Sequence, residues 1–317
     1  MLRRLIAKYL SWLLSSLRLD PIIDSVNRSV GGCIIAYHHV SATTLEEQLE
    51  LLSRRYAIVS LSEFVSRHAQ DKSTAGLMVI TFDDGFAKEV EDGAALAIRR
   101  GWPMTFYLPT QFVKLSQPYW FEEIGPLLKV APEGQHRVDG LSFYLNDSKS
   151  RARARDQIVR HLFYQSTLEI QTFMKRLQET LFGSIGRPPN VQIPGPISRE
   201  RVRELCRNEE VSFEAHSVCH PFFSTLSPEE IREEMQASRR EVEEMTERPV
   251  RHFCYPYGDS KAIGPKAPEI ARSLFQSATT IAPGRCRPSI DRAMLPRIAL
   301  FEHYTAAMAA LKVETTR

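Results

Sequence analysis

Residues 77–82 form a short apolar run, Leu77-Met78-Val79-Ile80-Thr81-Phe82, that ends abruptly in Asp83-Asp84-Gly85. Its length suits a buried strand and falls short of a core helix. Two adjacent carboxylates at a strand end repel each other, so something must hold them there. A bound cation would do so, with one carboxylate as its ligand and the other, its pKa set by that cation, moving protons. An isolated Asp-Asp-Gly is also an ordinary polar turn. The weight therefore falls on its partners elsewhere in the chain.

The flanking sequence alternates strand and helix. An apolar strand over 33–37 ends in His38-His39, and Thr44-x-x-Glu47 reads as a capping box opening a helix with Leu45, Leu49 and Leu52 inward. A strand over 57–60 is followed by a helix capped by Ser60-x-x-Glu63. The strand 77–82 leads to a helix over 86–100 stopped by Gly101 and Pro103, then to a strand over 104–108. This alternation predicts a parallel sheet, as a barrel or doubly wound. Residues 114–196 break the rhythm and read as a mostly helical insertion covering or flanking the site. There Trp120 and Phe121 are candidates for sugar stacking or for core. Arg151, Arg153 and Arg155 suit a solvated helix face, and Pro188, Pro189, Pro194 and Pro196 mark a linker.

From residue 198 the alternation resumes. A strand over 211–215 ends at His216-Ser217-Val218-Cys219-His220-Pro221. Histidines four apart face one way on a helical turn and can share a metal ion, with Pro221 ending that turn. Cys219 is either a fourth ligand or a small apolar residue packed inward. Two imidazoles and one carboxylate make the three-ligand open site of hydrolytic zinc and related metals. Ser227-Pro228-x-Glu230 opens a long helix. A strand over 250–255 runs into Pro256-Tyr257-Gly258, a helix over 266–276 and a strand over 277–281 follow, and the ordered part is expected to finish with Met294-Leu295-Pro296-Arg297-Ile298. His38, Asp83-Asp84, His216/His220 and Pro256-Tyr257-Gly258 each follow a strand's carboxyl end, the face where barrels and open sheets build active sites.

Composition narrows the class. The 317 residues are 25% charged and 43% hydrophobic, ordinary for a soluble domain large enough to bury a sizeable core. A net charge of +3 with no basic stripe among aromatics gives no ground for nucleic-acid binding. The five cysteines are scattered without a CxxC pair, which fits a reducing compartment. Over residues 1–19, Leu2, Leu5, Ile6, Tyr9, Leu13 and Leu17 recur at helical spacing against Arg3, Arg4, Lys8 and Arg18. Such a basic amphipathic helix suits an anionic membrane surface or packing on its own domain; it is neither long enough to span a bilayer nor followed by a small-residue cleavage site.

Thr81-Phe82-Asp83-Asp84-Gly85, the His216–Pro221 stretch and Tyr255-Pro256-Tyr257-Gly258 resemble, in order, the first three motifs of the polysaccharide deacetylases. These are the NodB-homology enzymes of carbohydrate esterase family 4. Tyr37-His38-His39-Val40 and Leu295-Pro296-Arg297-Ile298 are similar to the subgroup acting on poly-N-acetylglucosamine-type polymers. The resemblance covers roughly 30–113 and 197–300 and implies a distorted (β/α) barrel of about seven strands. The expected organisation is a basic segment over 1–26 and one deacetylase domain over 27–317 carrying the insertion.

The resemblance also implies roles. Asp84, His216 and His220 would bind a divalent metal, usually zinc, with cobalt, nickel or manganese as substitutes. Asp83 would be the general base, and the backbone N–H of Tyr257 would face the oxyanion. The family's late Leu-x-His-Asp is missing, since His303 sits in Glu302-His303-Tyr304. The general acid then falls to His38, with His39 in reserve. Arg297 would orient Asp83, or else cap a helix or lie on the surface. The family's frequent arginine before the proline-tyrosine motif is Cys254 here, which leaves the positioning of the base open. The expected activity is removal of N-acetyl groups from an amino sugar in a glycan or in a lipid- or nucleotide-linked intermediate, in the cytoplasm or peripherally on the inner membrane face. A related amidase or esterase on a non-sugar substrate and a catalytically silent saccharide-binding module are the rivals. The oligomeric state stays open.

Overall fold

A computed structural model describes residues 31–316 except 71, 116, 117, 189 and 190. The basic segment expected over 1–19, its membrane contact and the boundary at 26 lie outside the described residues. Ten strands are present among the described residues: β1 (Cys33–Tyr37), β2 (Ala57–Ile58), β3 (Leu77–Phe82), β4 (Met104–Leu108), β5 (Gly134–Val138), β6 (Leu141–Leu145), β7 (Val211–Ala215), β8 (His252–Cys254), β9 (Ser277–Thr279) and β10 (Ile298–Ala299). The main sheet runs β10-β1-β3-β4-β7-β8-β9, with β2 beside the start of β3. Every pairing in it is parallel. It curls into a partial barrel with helices outside.

Period-two alternation sorts the side chains. Ile35, Tyr37, Ile80, Phe82, Phe106 and Phe213 face the helices in the main core. Phe82, Phe106 and Phe213 stack in a row with ring centroids 5.0 and 5.6 Å apart. The helix Ala87–Arg100 lies close over this row because Gly93 leaves room; a Cβ there would meet the Phe106 ring at 3.1 Å. The opposite face sends Ile34, Val79, Tyr107 and Cys254 into a second cluster inside the curl. Asp83 and His216 continue that inward series one step past the ends of β3 and β7.

Register sets the height of the site. Tyr37 pairs with Phe82 and Ala215 with Phe253, so residues 38 and 83 emerge level, as do 216 and 254. The insertion between β4 and β7 has a cluster of its own, built on Leu127, Phe143, Ile158, Leu162, Phe173 and Leu177. It is helical over Trp120–Val130, Ser148–Leu162 and Thr167–Phe182.

Several local expectations are corrected. The first helix, Ala42–Ser53, is capped by Ser41, whose side chain accepts from the Thr44 N–H, so the cap lies three residues before Thr44. The insertion also contains the antiparallel hairpin β5–β6, turned by Asp139 and Gly140, both at positive φ. Order continues past Ile298 into the helix Ala306–Thr315. No helix among the described residues is long and apolar enough to cross a membrane.

Candidate active site

The Asp83-Asp84-Gly85 turn is pinned from both sides. Asp84 and Gly85 both take left-handed φ, 68° and 62°, which turns the chain sharply off β3. Glycine suits position 85, where the left-handed φ is unstrained and a Cβ would lie 2.5 Å from the Leu108 side chain. The linker after the insertion then braces the turn, with Ile197 N–H donating to Gly85 O at 2.8 Å and Ala87 N–H to Gly195 O at 3.0 Å. The Tyr119 hydroxyl donates to Asp84 O.

The two histidines leave β7 on a loop and not on the helical turn that their spacing suggested. Ser217 and His220 both have positive φ, 66° and 54°. The loop is held by His220 N–H to Ser217 Oγ at 3.0 Å and by Gln111 N–H to Val218 O at 3.0 Å. Behind it, Glu234 Oε2 accepts from the backbone N–H groups of Val218 and Cys219 at 2.8 and 3.1 Å. Cys219 points its thiol at the Gln111 side chain and belongs to no candidate ligand cluster among the described residues.

The histidine rings converge on Asp84. His216 Nδ1–H donates to Cys254 O at 2.7 Å. That bond orients the ring and points Nε2, the ligand atom of the neutral tautomer, at Asp84 Oδ1 3.4 Å away. His220 Nε2 lies 3.2 Å from the same oxygen. The three ligand atoms all fall within 4.8 Å of one another, and all three residues are buried. Asp84 Oδ1 itself has no hydrogen-bond partner among the described residues. That buried oxygen, facing two imidazole nitrogens, calls for positive charge among the three atoms, from ring protons or from a cation. The N2O donor set matches what zinc and related divalent metals take at three-ligand open sites, so the residues fit such an ion. Burial would raise the Asp84 carboxyl, but His216 and His220 outweigh it and hold it well below the usual carboxylate range.

Asp83 is bound differently. Arg297 Nη1 and Nη2 donate to its two oxygens at 2.7 and 2.6 Å, a bidentate fork. The same guanidinium donates to Thr81 Oγ1 at 3.1 Å and Thr280 O at 2.8 Å, and it contacts Cys254 Sγ at 3.1 Å. Arg297 is 1% exposed, which excludes the surface alternative and makes it the partner of Asp83. Its guanidinium reaches the space beside Cys254, so a cation from the start of β10 grips the carboxylate although residue 254 is not arginine. Burial pushes the Asp83 carboxyl up, while Arg297 and then His38 draw it below its ordinary value.

His38 Nε2 lies 3.4 Å from Asp83 Oδ2, with the side chain 39% exposed. His39 faces away: Glu89 and Glu122 bind its two nitrogens at 3.2 and 3.3 Å, and together, Glu122 foremost, they push it up to about 10. Tyr257, at φ 59°, stacks on Phe222 with centroids 3.8 Å apart, and its ring centroid is 4.6 Å from that of His220. Its hydroxyl accepts from Trp120 Nε1 at 3.0 Å. A cavity of about 420 Å³ opens over His38, Asp83, Asp84, His216 and His220, with Phe121 and Tyr257 in its wall and Trp120 bonded to the Tyr257 hydroxyl. His303 is stacked on Phe301 outside it. All seven proposed site residues therefore meet at one place, while His39, Cys219 and His303 stand apart. The sequence carried Thr81 in the Asp83-Asp84 motif without a role, and it gave no signal for Tyr119 or Glu234.

The family profile for polysaccharide deacetylase matches residues 70–274. No curated protein matches the sequence. Among solved structures, the chain is similar to IcaB from Ammonifex degensii, at 16% identity over 90% of this chain and 98% of that one, with a TM-score of 0.57. It is similar to the Streptococcus pyogenes deacetylase PplD in complex with acetate, at 13% identity over 90% and 97%, with a TM-score of 0.56. The BpsB deacetylase domain from Bordetella bronchiseptica aligns at 12% identity over 84% and 95%, with a TM-score of 0.52. At these identities the likeness is one of fold.

Proposed function

The chain belongs to the polysaccharide deacetylase family, and from that premise we propose that it hydrolyses the N-acetyl group of an amino sugar with the help of a divalent metal. The observation that carries this reading is the convergence of His216 Nε2 and His220 Nε2 on Asp84 Oδ1, beside an Asp83 held in a separate fork. When bound by Asp84, His216 and His220, the ion would polarise the acetyl carbonyl and lower the pKa of water toward about 7. Zinc is the first candidate, with cobalt, nickel and manganese behind it.

The chain's own residues supply the rest. Asp83 accepts a proton from the attacking water as its oxygen adds to the acetyl carbon. The fork from Arg297 keeps Asp83 ionised and fixes its orientation, at some cost in basicity. The backbone N–H of Tyr257 donates to the developing oxyanion. As the C–N bond breaks, His38 delivers a proton to the leaving amine, and acetate and the free amino sugar depart. In this reading the substrate is a cytoplasmic glycan intermediate, lipid- or nucleotide-linked, met near the inner membrane face. The five free cysteines suit that compartment.

The test pairs metal analysis of the purified protein with acetate release from N-acetylglucosamine oligomers and from aryl acetates, before and after chelation. Metal-dependent release from the sugars is expected. Release from aryl acetates alone would move the chain to the non-sugar hydrolases, and turnover of neither by metal-loaded protein would favour a silent binding module.

A further inference from the structure

We propose that the substrate carries a hydrophobic aglycone beside its N-acetylated sugar, seated against Phe121, Phe163, Ile281 and Phe301. This inference rests on the deacetylase reading above and names the substrate class for that same cavity. The argument comes from its walls. Of the lining carboxylates and imidazoles all but Asp259 lie on the floor, at His38, Asp83, Asp84, His216 and His220. Phe121 and Phe163 come from the insertion, and Ile281, Ala299 and Phe301 from the loops and strand that follow β9 and Arg297. Among the described residues, no Asn, Gln, Lys or Arg side chain lines the cavity.

The remaining polar wall groups are few and partly engaged within the fold. Tyr255 hydroxyl donates to Ala293 O at 2.9 Å, and Tyr257 hydroxyl accepts from Trp120. Asp259 Oδ1 caps the short helix Ser260–Ile263 by accepting from Lys261 and Ala262 N–H. Sugar hydroxyls pressed against Phe121, Phe163, Ile281 and Phe301 would lose water without gaining partners. A nucleotide would find no lysine or arginine for its phosphates. An aromatic wall can stack on a pyranose face, but Ile281 and Ala299 offer no such face.

Exposure at the mouth agrees. Phe301 is 44% and Ile281 39% exposed, and both border the cavity. The Phe301 ring is set in place by stacking on His303 at 5.6 Å and by edge contact with Tyr304 at 5.4 Å. Large apolar side chains left uncovered at the rim of a reaction cavity mark what comes to cover them, and here that is the portion of substrate next to the acetamide.

The test uses the metal-loaded full chain and a series of β-glycosides of N-acetylglucosamine with methyl, butyl and octyl aglycones, below micelle-forming concentrations. An N-acetylglucosamine tetrasaccharide and a nucleoside-diphosphate sugar serve as comparisons. We expect kcat/KM to rise with chain length, by up to about 4-fold per methylene while the chain stays within the cavity. Phe301→Ala and Ile281→Ala should flatten that rise yet leave the methyl glycoside within about 2-fold of the parent protein, which also reports an intact fold. Good turnover that is flat across the series, or highest for the tetrasaccharide or the nucleotide sugar, overturns the aglycone proposal alone. No turnover of any sugar sinks the deacetylase reading and this inference with it.

Discussion

Arg297 holds both oxygens of Asp83, Nη1 on Oδ1 at 2.7 Å and Nη2 on Oδ2 at 2.6 Å, with both residues at most 3% exposed. The pair joins residues more than 200 positions apart and places a buried carboxylate between a fixed guanidinium on one side and the partly open His38 ring on the other.

Removing one member strands the other. Arg297→Gln should lower stability by roughly 3–5 kcal/mol, because an uncompensated carboxylate stays buried. Arg297→Lys should recover only part of this, since an ammonium cannot reproduce the fork. Urea unfolding monitored by circular dichroism measures both. An unchanged midpoint in Arg297→Gln would remove the pair from the account.

Asp83→Asn separates chemistry from metal retention. Turnover should fall by about 10²–10⁴-fold, the usual contribution of a general base, while bound metal stays near the parent level because Asp84 and the two imidazoles are untouched. Elemental analysis beside an acetate assay decides. Loss of metal together with activity would make Asp83 a ligand instead.

Metal affinity should also rank the residues around the loop. His216→Ala removes a ligand outright and should weaken zinc binding, read by competition with a chromophoric chelator, more than a supporting residue does. Glu234→Ala only frees the Val218 and Cys219 N–H groups, so it should cost about 10–100-fold. Equal affinities in all three proteins would mean that zinc sits elsewhere.

The adjacent histidines should behave oppositely. His38→Ala should lose about 10²-fold or more in turnover if it is the proton donor to the amine. His39→Ala breaks its contacts with Glu89, Glu122 and the Phe86 ring and should leave turnover within about 3-fold. The reverse ranking would move the acid to residue 39.

A separate pH effect comes from His252, buried between Ser62 Oγ at 2.9 Å and Ser277 Oγ at 2.8 Å. Burial holds it down to about 3, from an ordinary value near 6.5. Between those limits the unfolded chain binds a proton that the folded chain refuses. Stability is therefore full above about pH 6.5 and is lost progressively as pH falls toward 3. His252→Gln should flatten this part of the stability-versus-pH curve. An equally steep acid limb in that variant would assign the loss to other groups.

Much of this architecture could be read from the chain because its signals are local. The 77–82 run, Gly101 at the helix end and the Ser227-Pro228-x-Glu230 cap each act within a few residues, and each appears where expected. The Asp139-Gly140 hairpin was also locally signalled, since that dipeptide suits two consecutive positive φ values, but the helical periodicity around it masked the turn. The histidine loop misled for a physical reason. A spacing of four suits a helical turn, yet two left-handed residues bring the same rings together, and non-glycine residues at positive φ cannot be foreseen from their type. Nothing local could place Arg297 on Asp83 or Glu234 behind Val218, because those contacts exist only once distant strands and helices have packed.

Arg297 enters at the start of β10, which pairs with β1 and closes the edge of the sheet. A growing polypeptide makes that arginine more than 200 residues after Asp83. Until then Asp83 has no guanidinium to offset its desolvation, so its pocket cannot settle. The carboxylate therefore stays unpartnered while the intervening strands are made, and its surroundings are set only once β10 has docked on β1.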